Sequence, residues 1–572
     1  MSCGAGFDST FFRLKNLGYF RNGNCSYFEV DFPQSAQDKS GYILADRLIM
    51  NTCLNNDKRS YLIGRDGCLQ IENYTVIGCD LTKTDELSEK LATFGFDFEK
   101  PTLVLCECSL TYVEASKASS FYRWIALNFA DAHLFVYEQI KPNDRFGRIM
   151  KNHFQNRSTP LLNVQDFPTL EDQERRMRYL GFKTAKSTPL TKIMKDRYLE
   201  SEQDRRKGLE PSFDELEEFF LKCSHYSVLE AKTQDSRAET FNDQVVTLDE
   251  ESIKVEVLNC HSRFGRFGHF CIYSKEEDSV IVFGGISNSF GRDDLIAKFQ
   301  LNNLSAEPIF ETKLRSNCSV FASFCQSKLH PSKVFCFGGR SSPFEASSNL
   351  IEIDLKTNEQ NIFKSCQNPE PRWKSSISSV IGPNKDGFLV MIGGKDASQV
   401  FSDVWKFEMK TKQWNKIDNL LPKGIFSHSV SNWESKLIVS GGIKSDERIN
   451  DEIFILDFKR KPICSKFDAP GIKSRFSHSS EVYGSKLILI GGICQTGEAG
   501  IGIVDLENPC LSREFQLDIP RSVATYNHSH IRIKDKILIF GGGGNCFSFG
   551  MHIASNAIEI DLSKLLPESN SL

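Results

Sequence analysis

The sequence predicts an α/β plus all-β chain: a doubly wound, Rossmann-like domain over residues 1–232, then a six-bladed β-propeller over residues 258–572. Three observations predict it. Apolar runs of strand length alternate with helix-compatible sequence in the first part. A pair of glycines recurs with a period near 50 residues in the second, which signals stacked repeats. A polar, charged stretch, "EAKTQDSRAETFNDQVVTLDEES", separates the two and gives a linker over residues 233–257.

Composition narrows the class. A chain of 572 residues is long enough for two to four domains, and 40% hydrophobic with 11% aromatic residues is a globular composition. The net charge of -4 gives no global argument for a nucleic-acid or membrane partner, so either must be argued from local patches. The 18 cysteines are scattered through runs such as "LVLCECSL" and "KVFCFGG", without the paired spacing of a metal site. They read as reduced thiols, so a cytoplasmic protein with no metal is expected. No cationic, then apolar leader opens the sequence, and no apolar run reaches the roughly 20 residues that span a bilayer.

In the first domain "SYFEVDFP", "NYTVIGCDL", "PTLVLCECSLTYV" and "HLFVYEQI" read as buried parallel strands, each followed by polar crossover sequence. A doubly wound sheet binds its ligand at the carboxyl ends of its strands. Gly4 and Gly6 in "CGAGFDS" let backbone approach a ligand closely. Asp31 closes "YFEVD", 27 residues later, where an acid takes the two hydroxyls of a ribose. Asp80 in "IGCDL" suits an adenine amino group, with Leu81 against the ring. Asp31 and Asp80 also suit helix N-caps. Glu107 in "LCECSLTYV" is expected to be buried, which demands a partner or a ligand.

The third position of the G-x-G-x-x-G fingerprint is Ser9, and acids around a glycine loop repel a pyrophosphate. A sulfonium is the better match, so S-adenosyl-L-methionine is the expected cofactor. An anionic acceptor beside these acids needs an offsetting cation, for which Arg13 is the candidate. Tyr112 is the candidate hydrogen-bond donor to the acceptor. Arg13 on a surface helix face and Tyr112 as a half-buried helix-start residue are the alternative readings.

The propeller follows from "VIVFGG", "VFCFGG", "LVMIGG", "LIVSGG", "LILIGG" and "ILIFGG", whose first glycines are 54, 55, 48, 50 and 50 residues apart. Earlier strands are marked by "FSHSV", "FSHSS" and "YNHSH" and later ones by "DVWKFEMKTKQW", "DEIFILDF" and "NAIEIDL", giving four strands per unit. His428, His478 and His528 occupy equivalent points of three repeats and read as structural hydrogen-bonding residues. These repeats resemble Kelch repeats.

"GAGFDSTFFRL", "YFEVDFP", "IGCDL", "CECSLTYV", "YEQIKPNDRFGRIMKNHF" and "EPSFDELEEFFLKCSHY" resemble the leucine carboxyl methyltransferase family over nearly all of residues 1–232. Such a class I methyltransferase domain joined to a Kelch propeller is similar to the tRNA wybutosine-synthesizing protein 4 group. The resemblance implies methylation of a carboxylate on a modified guanosine next to the anticodon of phenylalanine tRNA, and a following methoxycarbonylation that takes up carbon dioxide. It implies cofactor binding by Gly4, Gly6, Asp31, Asp80, Leu81 and Glu107. A protein C-terminal leucine carboxylate as acceptor, or an inactive Kelch scaffold, are the alternatives, and a monomer without a membrane partner is expected. Residues 141–207 hold 16 Lys and Arg against 9 Asp and Glu, an excess of 7 positive charges that would add a phosphate contact. Only Met1, Ser2 and Cys3 precede the glycine loop, whereas family members carry several tens of residues there. The sequence therefore predicts a missing N-terminal part, with a first strand so short that it leaves backbone groups of its neighbours unpaired.

Overall fold

In the N-terminal part of the chain the four predicted apolar strands lie in one sheet of nine, in the order β3-β4-β5-β2-β1-β6-β7-β9-β8. The strands are β1 (Ser2–Cys3), β2 (Tyr27–Asp31), β3 (Tyr61–Ile63), β4 (Leu69–Ile71), β5 (Tyr74–Gly78), β6 (Thr102–Glu107), β7 (Ala132–Gln139), β8 (Thr184–Pro189) and β9 (Tyr226–Lys232). The computed structural model describes residues 1–20, 25–54, 61–197, 215–234, 252–287, 291–316, 319–363, 367–383, 385–519, 523–546 and 548–566. Most of the predicted linker, and residues 198–207 of the basic stretch, lie outside the described residues. The chain divides into two units, Met1–Tyr198 with Lys222–Val245, and Leu199–Leu221 with Val246–Leu572. Of the described residues, 215–221, placed in the first domain by the sequence division, cluster with the second unit.

In the first unit β1 runs parallel to both neighbours: Ser2 lies opposite Glu29 and Leu105, and Cys3 opposite Val30 and Cys106. The short strand is paired at these two positions. The Met1 ammonium donates to Leu103 O at 2.7 Å, and Leu105 N donates to Met1 O at 2.9 Å. The chain moves from β1 to β2 and β5 on one side, then to β6 and β7 on the other, so the direction of winding switches between β1 and β6. Helices α1 (Thr10–Asn16), α2 (Pro33–Ala45) and α3 (Arg47–Cys53) pack Phe11, Ile43, Met50 and Cys53 against Leu69, Tyr74 and Val76. Helices α4 (Thr84–Thr93), α5 (Ala115–Asn128) and, after α6 (Arg145–Asn156), α7 (Leu170–Leu180) pack Leu87, Leu91, Phe121, Ile125 and Met177 against Val30, Ile77, Val104 and Leu134. Strand alternation puts Val104 and Cys106 into that core and Leu103 on the opposite side, where it is 50% exposed.

The second unit holds, among its described residues, six sheets of four or five strands, antiparallel except where Ser252–Lys254 runs parallel to Arg513–Asp518. Each glycine pair ends one strand of such a sheet. Gly491 and Gly492 show why glycine is needed, with φ of +60° and +93°, and a Cβ on Gly491 would stand 1.9 Å from Thr525 O. Buried arginines read the same turns: Arg372 donates to Gly393 O at 3.1 Å and to Asp403, and Arg475 donates to Gly491 O at 3.1 Å and to Glu514. The repeat histidines tie adjacent sheets together. His428, His478 and His528 meet Ser376, Ser429 and Ser479 at 2.8, 2.7 and 2.8 Å.

One residue from each sheet-to-sheet junction forms a closed ring. Phe321 N donates to Gly268 O, Lys374 N to Phe321 O, Ser427 N to Lys374 O, Ser477 N to Ser427 O, Asn527 N to Ser477 O, and Gly268 N to Asn527 O, all within 2.8–3.1 Å. All six residues have positive φ. The strand Glu256–Leu258 pairs antiparallel with Ala557–Asp561, so the two ends of this unit share a sheet and its edge is closed.

Candidate active site

Four strand ends assemble the site because register puts them level. Gly4 follows Cys3, Asp31 follows Val30 and Glu107 follows Cys106, and Cys3 lies opposite Val30 on one side and Cys106 on the other. Asp31 in turn lies opposite Gly78, two residues before Asp80.

The loop after β1 is built by its glycines. Gly4 has φ +71°, and a Cβ there would stand 2.4 Å from Ser109 Cβ. Gly6 has φ +47° with nothing within 4 Å of an added Cβ, so the loop presents bare backbone to open space. Gly4 N donates to Val30 O at 2.8 Å, and Gly6 N donates to Asp31 Oδ2 at 2.7 Å. Below the loop, Lys39 of α2 pairs with Glu29 of β2 and donates to Asp8 O at 2.9 Å. Burial pushes the Glu29 carboxyl up, and Lys39 and the Tyr74 hydroxyl oppose that shift.

Asp31 accepts from Gly6 N on one oxygen and from Phe32 N on the other, each at 2.7 Å. A carboxylate offers about four lone pairs, so both oxygens can accept once more. Asp80 uses Oδ1 for Thr82 N and Thr82 Oγ1, both at 2.9 Å, which shapes the turn into α4. Among the described residues its Oδ2 carries no hydrogen bond. Leu81 is nearly buried at 9% exposure. Glu107 is exposed, contrary to the expectation of burial. Strand alternation is the reason, since Glu107 shares the side of β6 on which Leu103 is also exposed.

Arg13 is exposed on α1 and donates to Thr10 Oγ1 at 3.1 Å. Tyr112 ends the turn Leu110–Tyr112 after β6, is 36% exposed, and has its ring centroid 6.1 Å from that of Phe154. Burial raises its hydroxyl above the ordinary tyrosine range, so it stays a donor. Of the predicted basic stretch, Arg176 is only 4% exposed and turns inward, over the Phe167 ring at 4.1 Å.

Two family models match the chain: leucine carboxyl methyltransferase over residues 2–126, and the KLHDC2/KLHL20/DRC7 Kelch-repeats domain over residues 231–425. The tRNA wybutosine-synthesizing protein 4 of Rattus norvegicus is 30% identical over 615 residues, covering 99% of this chain and 87% of that protein. The chain belongs to the tRNA wybutosine-synthesizing protein 4 family. It is a methyltransferase joined to a Kelch domain. The Homo sapiens wybutosine-synthesizing protein 4 is 29% identical over 99% of this chain and 87% of its own length. Leucine carboxyl methyltransferase 1 of Rattus norvegicus is 31% identical over 40% of this chain and 67% of that protein.

In this member of the wybutosine-synthesizing protein 4 family the geometry adds residues that the sequence reading passed over. Phe32, directly after Asp31, is 59% exposed at the strand end. Its signal was an aromatic residue next to a strand-end acid. Glu138 near the end of β7 is 5% exposed and lies against Tyr122, Arg176 and the backbone N–H groups of Leu110 and Thr111. Burial pushes its pKa up to about 7, against the pull of Arg176 and those donors. Glu138 thereby braces the turn that carries Tyr112. Burial likewise pushes the Cys108 thiol up to about 12, which makes it a poor nucleophile.

Proposed function

We propose that this enzyme is an S-adenosylmethionine-dependent carboxyl methyltransferase acting on the wybutosine precursor side chain of phenylalanine tRNA, next to the anticodon. The observation that carries this reading is the pairing of a level row of strand-end groups, Gly4, Asp31, Asp80 and Glu107, with a near-full-length match to the wybutosine-synthesizing family. The order of the nine strands supports a Rossmann-like, class I methyltransferase domain, and the six sheets with their ring of hydrogen bonds support a six-bladed Kelch-type propeller.

The residues present fit the cofactor. The bare backbone at Gly6 would admit a close ligand, Asp31 retains acceptor capacity for ribose hydroxyls, and Asp80 Oδ2 is available for an adenine amino group, with Leu81 as the apolar residue beside it. Glu107 places a carboxylate near a cationic centre. When bound, S-adenosylmethionine supplies an electrophilic methyl group. The acceptor carboxylate is already ionised at neutral pH, so the protein's task is orientation and exclusion of water. Tyr112 donates to the acceptor and Arg13 offsets its charge as it enters an acidic site.

Methoxycarbonylation with carbon dioxide as co-substrate is the second activity proposed, in a cytoplasmic monomer. No helix among the described residues is long and apolar enough to cross a membrane. A protein C-terminal leucine carboxylate is the competing acceptor, favoured by the match to leucine carboxyl methyltransferase 1. Incubation with tritiated S-adenosylmethionine and either precursor tRNA or a protein ending in leucine tests the reading. Label in tRNA is expected; label in protein alone refutes it, and label in neither points to a scaffold.

A further inference from the structure

The repeats of the second unit diverge at one place. The residue after each glycine pair is Ile286, Ile443, Ile493 or Gly543 in four repeats, but Arg340 and Lys395 in two adjacent ones. Ile443 and Ile493 are fully buried, which is what packing asks of this position. Lys395 is nevertheless only 5% exposed.

Its surroundings hold it without neutralising it. Trp373 N donates to Lys395 O at 2.9 Å and Lys395 N to Trp373 O at 3.0 Å, which fixes the backbone. The ammonium stands 5.7 Å from the Trp373 ring centroid and 5.3 Å from that of Phe426. Among the described residues it has neither a hydrogen-bond acceptor nor an ion-pair partner. Asp396, its neighbour in sequence, accepts at Oδ1 from the backbone N–H groups of Ser398 and Gln399 and forms no ion pair with Lys395. Trp373 is 1% exposed, and among the described residues its Nε1 also lacks an acceptor.

The adjoining groups are cationic. The Arg340 guanidinium lies 5.2 Å from the Trp373 centroid, and Lys374, a ring residue, lies 4.7 Å over Phe321. Lys374 pairs with Glu217 of the helix Leu216–Ser224, and Glu217 also accepts from Ser477 Oγ. The next acid, Glu218, is spoken for elsewhere, by the Tyr526 hydroxyl at 2.7 Å and His552 at 3.2 Å. Burial, then the charges of Lys374 and Arg340, press the Lys395 pKa down to about 8. A buried cation without a partner costs several kcal/mol, roughly, and isoleucine would serve packing without that cost.

We propose that this corner of the ring is a binding site for a small oxyanion group, a carboxylate or a phosphate, held by the Lys395 ammonium between Trp373 and Phe426 in the field of Lys374 and Arg340. The group neutralises the cation cluster in the way Glu217 already neutralises Lys374. Nothing in this depends on the methyl-transfer site, because every residue named belongs to the second unit.

The test is lysine-selective acetylation of the full chain, read residue by residue by mass spectrometry, with and without inorganic phosphate, malonate or a short oligoribonucleotide. At an anion concentration about twice its dissociation constant, labelling of Lys395 falls about threefold, while exposed lysines such as Lys410 and Lys459 are unaffected. A Lys395→Met protein that melts normally loses the anion-dependent rise in melting temperature shown by the parent. Protection by phosphate or malonate assigns a small free anion; protection by the oligoribonucleotide at concentrations where free phosphate gives none assigns an RNA phosphate. Equal labelling of Lys395 under all conditions overturns the proposal, as does a full anion-dependent shift in Lys395→Met.

Discussion

Replacing Asp31 by Asn separates the two tasks assigned to this carboxylate. In the structure its oxygens accept from Gly6 N and Phe32 N, each at 2.7 Å, and each keeps capacity for one more donor. Asn retains one acceptor oxygen and turns an NH2 group towards one of the two backbone N–H groups. A charge-assisted hydrogen bond contributes about 1.5–3 kcal/mol, so losing the ribose contact weakens cofactor binding by roughly ten- to a hundredfold. The displaced backbone N–H costs about 1 kcal/mol of stability, near the lower end because Asp31 is only partly buried. Calorimetric titration with S-adenosylhomocysteine reads the first effect and a thermal melt the second. An analogue without ribose hydroxyls should bind parent and variant with similar affinity. If Asp31→Asn melts normally and binds S-adenosylhomocysteine with unchanged affinity, Asp31 only shapes the loop and the ribose assignment is wrong.

Three further outcomes follow from the same structure. Glu138 keeps its proton up to about pH 7 in the native state but loses it near 4.5 when unfolded, so it favours folding below pH 4.5 and loses up to about 3 kcal/mol as pH rises to 7. Glu138→Gln should flatten that decline, and denaturant titrations at pH 5 and pH 7.5 that keep the parent's slope would refute the assignment. Tyr112→Phe should lower kcat by about 1–2 kcal/mol in barrier with S-adenosylhomocysteine affinity unchanged; an equal loss in affinity would place the hydroxyl at the cofactor instead. Gly491→Ala drives a Cβ to 1.9 Å from Thr525 O at φ +60°, and should cost about 3 kcal/mol or more. A melting temperature within a degree of the parent would show that the turn yields freely.

The sequence alone determined the features that are written locally. A glycine pair at the end of each apolar strand announces a turn that other residues enter only under strain, so its recurrence counts the repeats before any packing is known. Gly4, Asp31, Asp80 and Glu107 were legible because strand ends are set by runs of five or six residues, and parallel pairing brings such ends level. The burial of Glu107 was misread because an apolar run does not say which face of its sheet is covered. Only the tertiary structure decided the partners. The ring passes through Phe321, Lys374, Ser427, Ser477 and Asn527, four residue types with no common signal, held at positive φ by neighbours about 50 residues away. Glu217 and Glu218 are both 4% exposed because Lys374, Ser477, Tyr526 and His552 await them 157 to 334 residues further on. Backbone conformation is chosen within a few residues of the chain, whereas compensation of a buried charge is chosen by whatever the finished fold sets beside it.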